Sequence, residues 1–382
     1  MQNALTVILK IKSGATDDLR QFLLKIGNDI QGNSEMRLAA SRLTHFSRYL
    51  IFDNDTRLLY TACYDGPLDA YLRDLLQKFQ PALVTIFSHC EGFPSPQVGS
   101  FSFDFIAFIN KNAIPANMFF AAYPGRTVEE VTGHIGLRAA FETLLNTDTA
   151  DSFLGALSRI PIISPKPQPL QTFLNNVVTW PVSTLLGMVY PLILSIIAPK
   201  ISKAPASTPG LTVHAPYSLT EREKIVQNEL TVIATIRPEY LPNLKRVLGL
   251  LHFSAQVLPS DGTLSGVSTI HFARWVILDD GKTLLFESNY DGTWEAYIGE
   301  FIDRAASGMD AIWGCCVGYP ERGAKDIQGF KTEIIDHQVR AELFYSAYPH
   351  TSVKNILNDI HIGETVGEWL GVTKIADLLR RL

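Results

Sequence analysis

Hydrophobic positions in this chain fall at two spacings, and the spacings follow one another in the same order twice. Leu5-Thr6-Val7-Ile8-Leu9-Lys10-Ile11 is rich in β-branched residues and predicts a strand. Leu19, Phe22, Leu23 and Ile26 then recur at helical spacing. Two further strands are predicted over 43–53 and 58–64, joined by the turn-forming Asp53-Asn54-Asp55. A second helix is predicted after Tyr64-Asp65-Gly66, carrying Leu68, Tyr71, Leu72 and Leu75. A strand over 118–123 and a helical tail over 127–145 close the set. The same order returns with Leu230-Thr231-Val232-Ile233-Ala234-Thr235-Ile236, then Leu244, Val247, Leu248 and Leu251, the turn Asp279-Asp280-Gly281, a strand over 343–348 and a tail over 352–369.

The residues repeat as well as the pattern. Thr44-His45-Phe46-Ser47-Arg48-Tyr49-Leu50-Ile51 returns as Ile270-His271-Phe272-Ala273-Arg274-Trp275-Val276-Ile277. His45 and His271, Asp65 and Asp291, and Pro94 and Pro320 all stand 226 positions apart, so no gap opens between them. A fixed period means two copies of one structural unit. The order β-α-β-β-α-β is the ferredoxin-like split motif, an antiparallel sheet with helices on one face. Its other face is apolar and needs a cover, which a second copy can provide. The expected fold is therefore α+β: two ferredoxin-like βαββαβ repeats, residues 1–147 and 228–382, packed face to face as a single-chain dimeric α/β barrel.

Residues 148–227 belong to neither copy. Their prolines (Pro161, Pro165, Pro167, Pro169, Pro205, Pro209, Pro216) predict irregular linker around an apolar helical segment at 173–199. Val177 to Pro199 carries no charge and is long enough to span a bilayer, which takes about 20 apolar residues. A single crossing would leave the copies on opposite sides of the membrane, unable to share a core. Pro181 and Pro191 favour a broken helix. Packing against the barrel and insertion into one leaflet both remain open. In the second case Trp180 and Tyr190 would sit at headgroup level, with Leu185, Leu186, Leu192 and Ile193 in the acyl region.

Composition narrows the classes. A net charge of −5 and the lack of a basic stripe argue against a nucleic-acid partner. Cys63, Cys90, Cys315 and Cys316 show no ligand-like spacing and are expected to be reduced, buried thiols. The start of the sequence has no signal-peptide shape, so a cytoplasmic location is expected, with peripheral membrane attachment as the variant. Oligomeric state is left open. No GxSxG, HExxH, P-loop or Rossmann fingerprint is present, which removes most hydrolase, kinase and dehydrogenase readings.

Candidate chemistry sits on the repeated blocks. Strict alternation puts His45, Ser47 and Tyr49 on one face of their strand and Phe46, Arg48 and Leu50 on the other, with His271 and Arg274 disposed alike. A His and an Arg beside an apolar pocket can serve as ligand, proton shuttle or anion clamp, or can simply bond neighbouring backbone. Asp65 and Asp291 can cap the helix that follows them or line the pocket as proton acceptors. The corners at Cys90 and Cys316 are expected to be packing elements.

Tyr290-Asp291-Gly292-Thr293-Trp294-Glu295-Ala296-Tyr297, preceded by Leu285-Phe286-Glu287-Ser288-Asn289, and its partner Tyr64-Asp65-Gly66-Pro67-Leu68-Asp69-Ala70-Tyr71 resemble a family of uncharacterised bacterial tandem-repeat proteins. At fold level the resemblance implies the dimeric α/β-barrel superfamily, which includes dye-decolourising peroxidases, chlorite dismutases and small monooxygenases. It implies no activity. The GxxDG block of dye-decolourising peroxidases is not matched, because the leading glycine is absent from Glu287-Ser288-Asn289-Tyr290-Asp291-Gly292.

The expected function is an oxidoreductase-type pocket protein for an apolar or lipid-like small molecule, at a membrane surface and with haem as its candidate cofactor. His271, Arg274 and Asp291 are the expected catalytic residues, and His271 the expected iron ligand ahead of His45, His89 and His337. His45, Arg48, Tyr64, Asp65, Tyr290 and Trp294 are the expected ligand-binding residues. The enzyme expected is peroxidase- or monooxygenase-like; the rival expectations are a non-catalytic binder of hydrophobic ligands or membrane tether for a partner enzyme, and a cofactor-free monooxygenase, which the fold-level resemblance allows.

Overall fold

A computed structural model describes residues 1–94, 100–146, 226–257 and 262–370. The insert with its segment 173–199 lies outside them, as do the membrane-contact residues expected there (Trp180, Leu185, Leu186, Tyr190, Leu192, Ile193). Among the described residues no helix is long and apolar enough to cross a membrane.

The first half runs β1 (Gln2–Lys10), α1 (Thr16–Gly27), β2 (Thr44–Phe52), β3 (Arg57–Asp65), α2 (Leu68–Ser88), α3 (Phe101–Asn112), β4 (Met118–Ala121) and α4 (Val128–Asn146). The second runs β5 (Gln227–Thr235), α5 (Leu241–Val257), β6 (Ile270–Leu278), β7 (Thr283–Asp291), α6 (Trp294–Trp313), α7 (Ile327–His337), β8 (Leu343–Ser346) and α8 (Val353–Leu370). The hairpin joining β2 to β3 turns through Asp53, Asn54 and Asp55, all at positive φ, a region that short polar side chains tolerate.

Among the described residues the strands form two four-stranded antiparallel sheets, ordered β1-β3-β2-β8 and β4-β6-β7-β5. This differs from the expected repeat, in which each copy completes its own sheet. Here each half lends its fourth strand to the other: β8 pairs with β2 through Phe46↔Ser346 to Tyr49↔Leu343, and β4 pairs with β6 through Met118↔Trp275 to Ala121↔Phe272. On its way to β4 the chain brushes the free edge of its own β1, where the Ile114 N–H donates to the Thr6 carbonyl at 2.8 Å. Val339 does the same to Thr231 at 2.9 Å on its way to β8. The paired sheets with bridged edges are consistent with a dimeric α/β barrel.

Two layers of core follow from this. Outside the first sheet, α1, α2 and α3 bury Leu19, Leu23, Leu72, Leu75 and Phe105 against Tyr49 and Tyr60. Outside the second, α5, α6 and α7 bury Leu244, Leu248, Tyr297 and Phe330 against Trp275 and Phe286. Between the sheets, Leu50, Phe52 and Leu59 meet Ile233, Val276, Leu278 and Leu285 in one apolar cluster drawn from both halves. The helices α4 and α8 pack on each other, with Arg138 paired to Asp359 at 2.9 Å, and Arg126, just before α4, pairs with Glu364.

All four cysteines are buried and free. Burial pushes the Cys90 and Cys315 thiols up to about 12 and raises Cys63 and Cys316 as well. Since the thiolate is the nucleophile, iodoacetamide at pH 8 should label the native thiols roughly a thousandfold more slowly than the denatured chain. Fast labelling of any of them in the native protein, read by mass spectrometry, would contradict this burial.

Candidate functional site

The repeated histidines owe their position to a backbone irregularity. In the first half Thr44 pairs with Tyr64 and Phe46 with Cys63, leaving His45 as an extra residue; Ile270 and Phe272 flank His271 in the same way. Such a bulge re-aims a side chain against the strand's alternation. His45 therefore leaves the face of Ser47 and Tyr49, where strict alternation puts it, and joins that of Phe46. Its ring lies 5.1 Å from Phe272, while His271 lies 5.4 Å from Phe46.

Each imidazole has both nitrogens engaged. His45 Nε2 faces Asp65 Oδ1 at 3.0 Å, and His45 Nδ1 faces the Tyr348 hydroxyl at 2.7 Å. His271 Nε2 faces Asp291 Oδ1 at 2.8 Å, and His271 Nδ1 faces the Tyr123 hydroxyl at 3.0 Å. The two phenols meet at 2.8 Å. The outcome is one buried relay: Asp65, His45, Tyr348, Tyr123, His271, Asp291. Burial holds both phenols well above their ordinary pKa, so they remain protonated at neutral pH.

The carboxylates cap helices, though not the ones that directly follow them. Asp65 Oδ2 accepts the Val128 N–H at the start of α4, and Asp291 Oδ2 accepts the Val353 N–H at the start of α8, each at 2.7 Å. Pro67 and Thr293 occupy the capping positions of α2 and α6 instead. Each aspartate thus ties its histidine to the helix pair that covers this end of the barrel, and the helix dipole favours the carboxylate's charge.

The arginines lie deeper along the same strands and reach across to the opposite half. Arg48 donates to the carbonyls of Leu230 (3.0 Å) and Ser288 (2.9 Å) and to Thr231 Oγ1 (2.8 Å). Arg274 donates to the carbonyls of Leu5 (2.5 Å) and Ala62 (3.0 Å) and to Cys63 Sγ (2.8 Å). Glu287 stands between them, 3.9 Å from Arg48 Nε and 3.4 Å from Arg274 Nε, and accepts from Thr61 at 3.1 Å. Arg48 also pairs with Glu229 at 3.2 Å. Both guanidiniums are buried and committed to backbone and carboxylate.

The expected residues therefore divide by place. His45, Asp65, His271 and Asp291 are brought together; Arg48 and Arg274 form a separate polar layer. Tyr64 stacks on Tyr71 (4.4 Å) and Tyr290 on Tyr297 (3.9 Å), facing the outer helices. Trp294 donates from Nε1 to Gln338 Oε1 at 3.0 Å, on α6. Tyr123 and Tyr348 were not among the expected site residues. Their signal is the repeated Ala122-Tyr123-Pro124 and Ala347-Tyr348-Pro349, a phenol returning at the end of the lent strand.

A haem ligand needs an imidazole nitrogen free to face the iron. His271 and His45 offer none, so these residues do not fit a haem. His89 and His337 end α2 and α7, each with Nδ1 bonded to the carbonyl four residues back. Among the described residues no group of three His, Cys, Asp or Glu could hold a metal ion.

A cleft of about 510 Å³ lies beside the first half of the relay, between α4 and the chain at 39–42. Val128 and Ala347 line it. These are the residues whose N–H groups donate to Asp65 Oδ2 and to the His45 carbonyl. On α4 the cleft is bordered by Thr132, Gly133, Gly136 and Ala140. The residue matching Thr132 in the second half is Leu357, which packs against Gly262.

No protein-family model matches this chain, and no curated protein matches it. Two solved structures are similar to it. One is a protein from Lactobacillus acidophilus NCFM described as a "putative monooxygenase", 7% identical over 90% of this chain and 97% of that one, with a TM-score of 0.26. The other is an anthrone oxidase-like protein, 8% identical over 91% of this chain and 93% of that one, with a TM-score of 0.25. Neither likeness bears on what this chain does.

Proposed function

We propose that this protein is an oxidoreductase acting on an apolar small molecule with an ionisable hydroxyl, of the quinol class, bound in the cleft along α4. Its halves, 1–147 and 228–382, are taken as ferredoxin-like units of one closed barrel. The observation that carries the functional reading is the closeness of cleft and relay: Val128 and Ala347, which line the cleft, donate their N–H groups to Asp65 Oδ2 and to the His45 carbonyl. An imidazole held by a carboxylate on one nitrogen and a phenol on the other can take a proton and pass it along. In the overall reaction the quinol loses two electrons and two protons and becomes the quinone; dioxygen takes both and leaves as hydrogen peroxide. Haem has no part in this reading.

The test is oxygen uptake with a quinol-like substrate in chelator-treated buffer. Uptake is expected in the native chain and should fall at least tenfold in Gly136→Leu, which fills the cleft and leaves the relay untouched. Equal uptake in both, or none above the uncatalysed background, would exclude the cleft as the site of oxidation.

A second reading, the non-catalytic binder, draws on a different observation: both imidazoles are fully buried and every relay atom already has a partner. Under this reading an apolar fluorescent probe binds the native chain but not Gly136→Leu, with no oxygen consumed. The membrane-tether version rests on the uncharged run within 173–199. Flotation with liposomes, with and without residues 173–203, decides it.

A further inference from the structure

Five contacts in line join the six groups of the relay: Asp65 to His45 (3.0 Å), His45 to Tyr348 (2.7 Å), Tyr348 to Tyr123 (2.8 Å), Tyr123 to His271 (3.0 Å) and His271 to Asp291 (2.8 Å). All are hydrogen-bond distances, and each needs one proton between its two heavy atoms. In their ordinary states at neutral pH the six groups bring four protons. Each phenol has one, each neutral imidazole has one, and the carboxylates have none. The contacts therefore need one proton more than the groups bring. Changing tautomers does not help, because moving an imidazole proton from one nitrogen to the other only moves the gap. An unfilled gap would leave two lone pairs facing each other in a buried site, which is costly.

We infer that the relay is a binding site for one additional proton, shared between the two halves of the chain. With that proton on His45, the donors all point one way. His45 Nδ1 donates to Tyr348, Tyr348 to Tyr123, and Tyr123 to His271 Nδ1, while each Nε2–H faces its aspartate. With the proton on His271 the three central bonds reverse. The heavy atoms stay in place; each phenol passes one proton on and receives another. Because the sequence repeat sets His45 against His271 and Tyr123 against Tyr348, the two arrangements are nearly equivalent. The relay carries a net charge of −1 with the proton and −2 without it.

The groups around the relay do not supply the missing proton in any other way. From the strands, Phe46 and Phe272 present rings to the imidazoles. Cys63 and Tyr345 are the other titratable groups whose charge is felt at the phenols, and burial raises both pKa values. From α4 and α8 come the N–H groups of Val128 and Val353, already given to the carboxylates. Glu130 of α4 is committed to the Thr127 N–H. The Arg274 guanidinium lies beyond Cys63, to which it donates.

The inference rests on the five contacts and not on the redox reading; a chain that oxidises nothing would still hold the proton. Its test is a count. In the ¹⁵N-histidine-labelled full chain at pH 7.5, three of the four ring nitrogens of His45 and His271 should be protonated, averaged over the pair. Tyr123→Phe deletes two contacts and one phenolic proton, so three contacts then face three protons. The count should fall to two of four in that variant, and also in Tyr348→Phe, which gives the same arithmetic should the first fail to fold. Two of four in the native chain, with the carboxyl ¹³C shifts of Asp65 and Asp291 showing both ionised, overturns the inference. So does three of four in native chain and variants alike, since the proton would then belong to one His–Asp pair and not to the relay.

Discussion

Glu287→Ala should lower the stability of the chain by about 3–5 kcal/mol, the range found when one partner of a buried ion pair is removed. Glu287 is 2% exposed and is the carboxylate that Arg274 faces. Without it the Arg274 guanidinium stays buried, held by two backbone carbonyls and a thiol, with its charge uncompensated. Arg48 retains Glu229 and suffers less. Replacing both partners, as in Arg274→Met with Glu287→Leu, should recover most of the loss, because apolar residues of similar volume usually fill such a site well. Urea unfolding of the three variants measures this. A loss below about 1 kcal/mol for Glu287→Ala would show that water reaches the pair and that the two sheets are not closed around it.

Phe272→Ala should cost a similar amount, about 3–5 kcal/mol, for a different reason. The ring is fully buried where both sheets meet the relay, with Phe46 at 5.6 Å, Tyr123 at 5.4 Å and His45 at 5.1 Å around it. Truncation leaves a cavity that none of these neighbours can fill, since His45 and Tyr123 are pinned by hydrogen bonds. Phe119→Ala, whose ring stacks on Phe272 at 5.9 Å but is only partly buried, should cost less than half as much. Equal losses in the two variants would mean that the Phe272 site collapses freely, and that the relay is not rigid.

The order of strands and helices and the β2–β3 and β6–β7 hairpins were legible in the sequence because each is written locally. The lent strands were not. Nothing in Met118-Phe119-Phe120-Ala121 says whether its partner is β1 of its own half or β6 of the other, since an apolar strand suits either edge. The extra helices α3 and α7 were overlooked, although Phe101, Phe105, Phe108 and Ile109 carry the spacing. At the site, counting residues along β2 gives the wrong face for His45, because a bulge adds one residue without marking the sequence. Alternation sets Arg48 and Arg274 on one face of their strands without saying which face looks inward; both reach across to the opposite half. Their commitment to carbonyls of the opposite half depends on sheet-to-sheet geometry, which no local pattern carries.

Lending the fourth strand has a cost during synthesis. β8, the partner of β2, is the last strand of the two sheets to be made, so the nascent first half leaves the ribosome with one sheet edge open for on the order of tens of seconds. An open edge invites pairing with other chains, and a holding chaperone would protect it. Either half made alone would have the same open edge together with a strand that has no sheet to join. Each half completes the other's sheet, so carrying both on one polypeptide makes that encounter intramolecular and fixes their ratio at one to one.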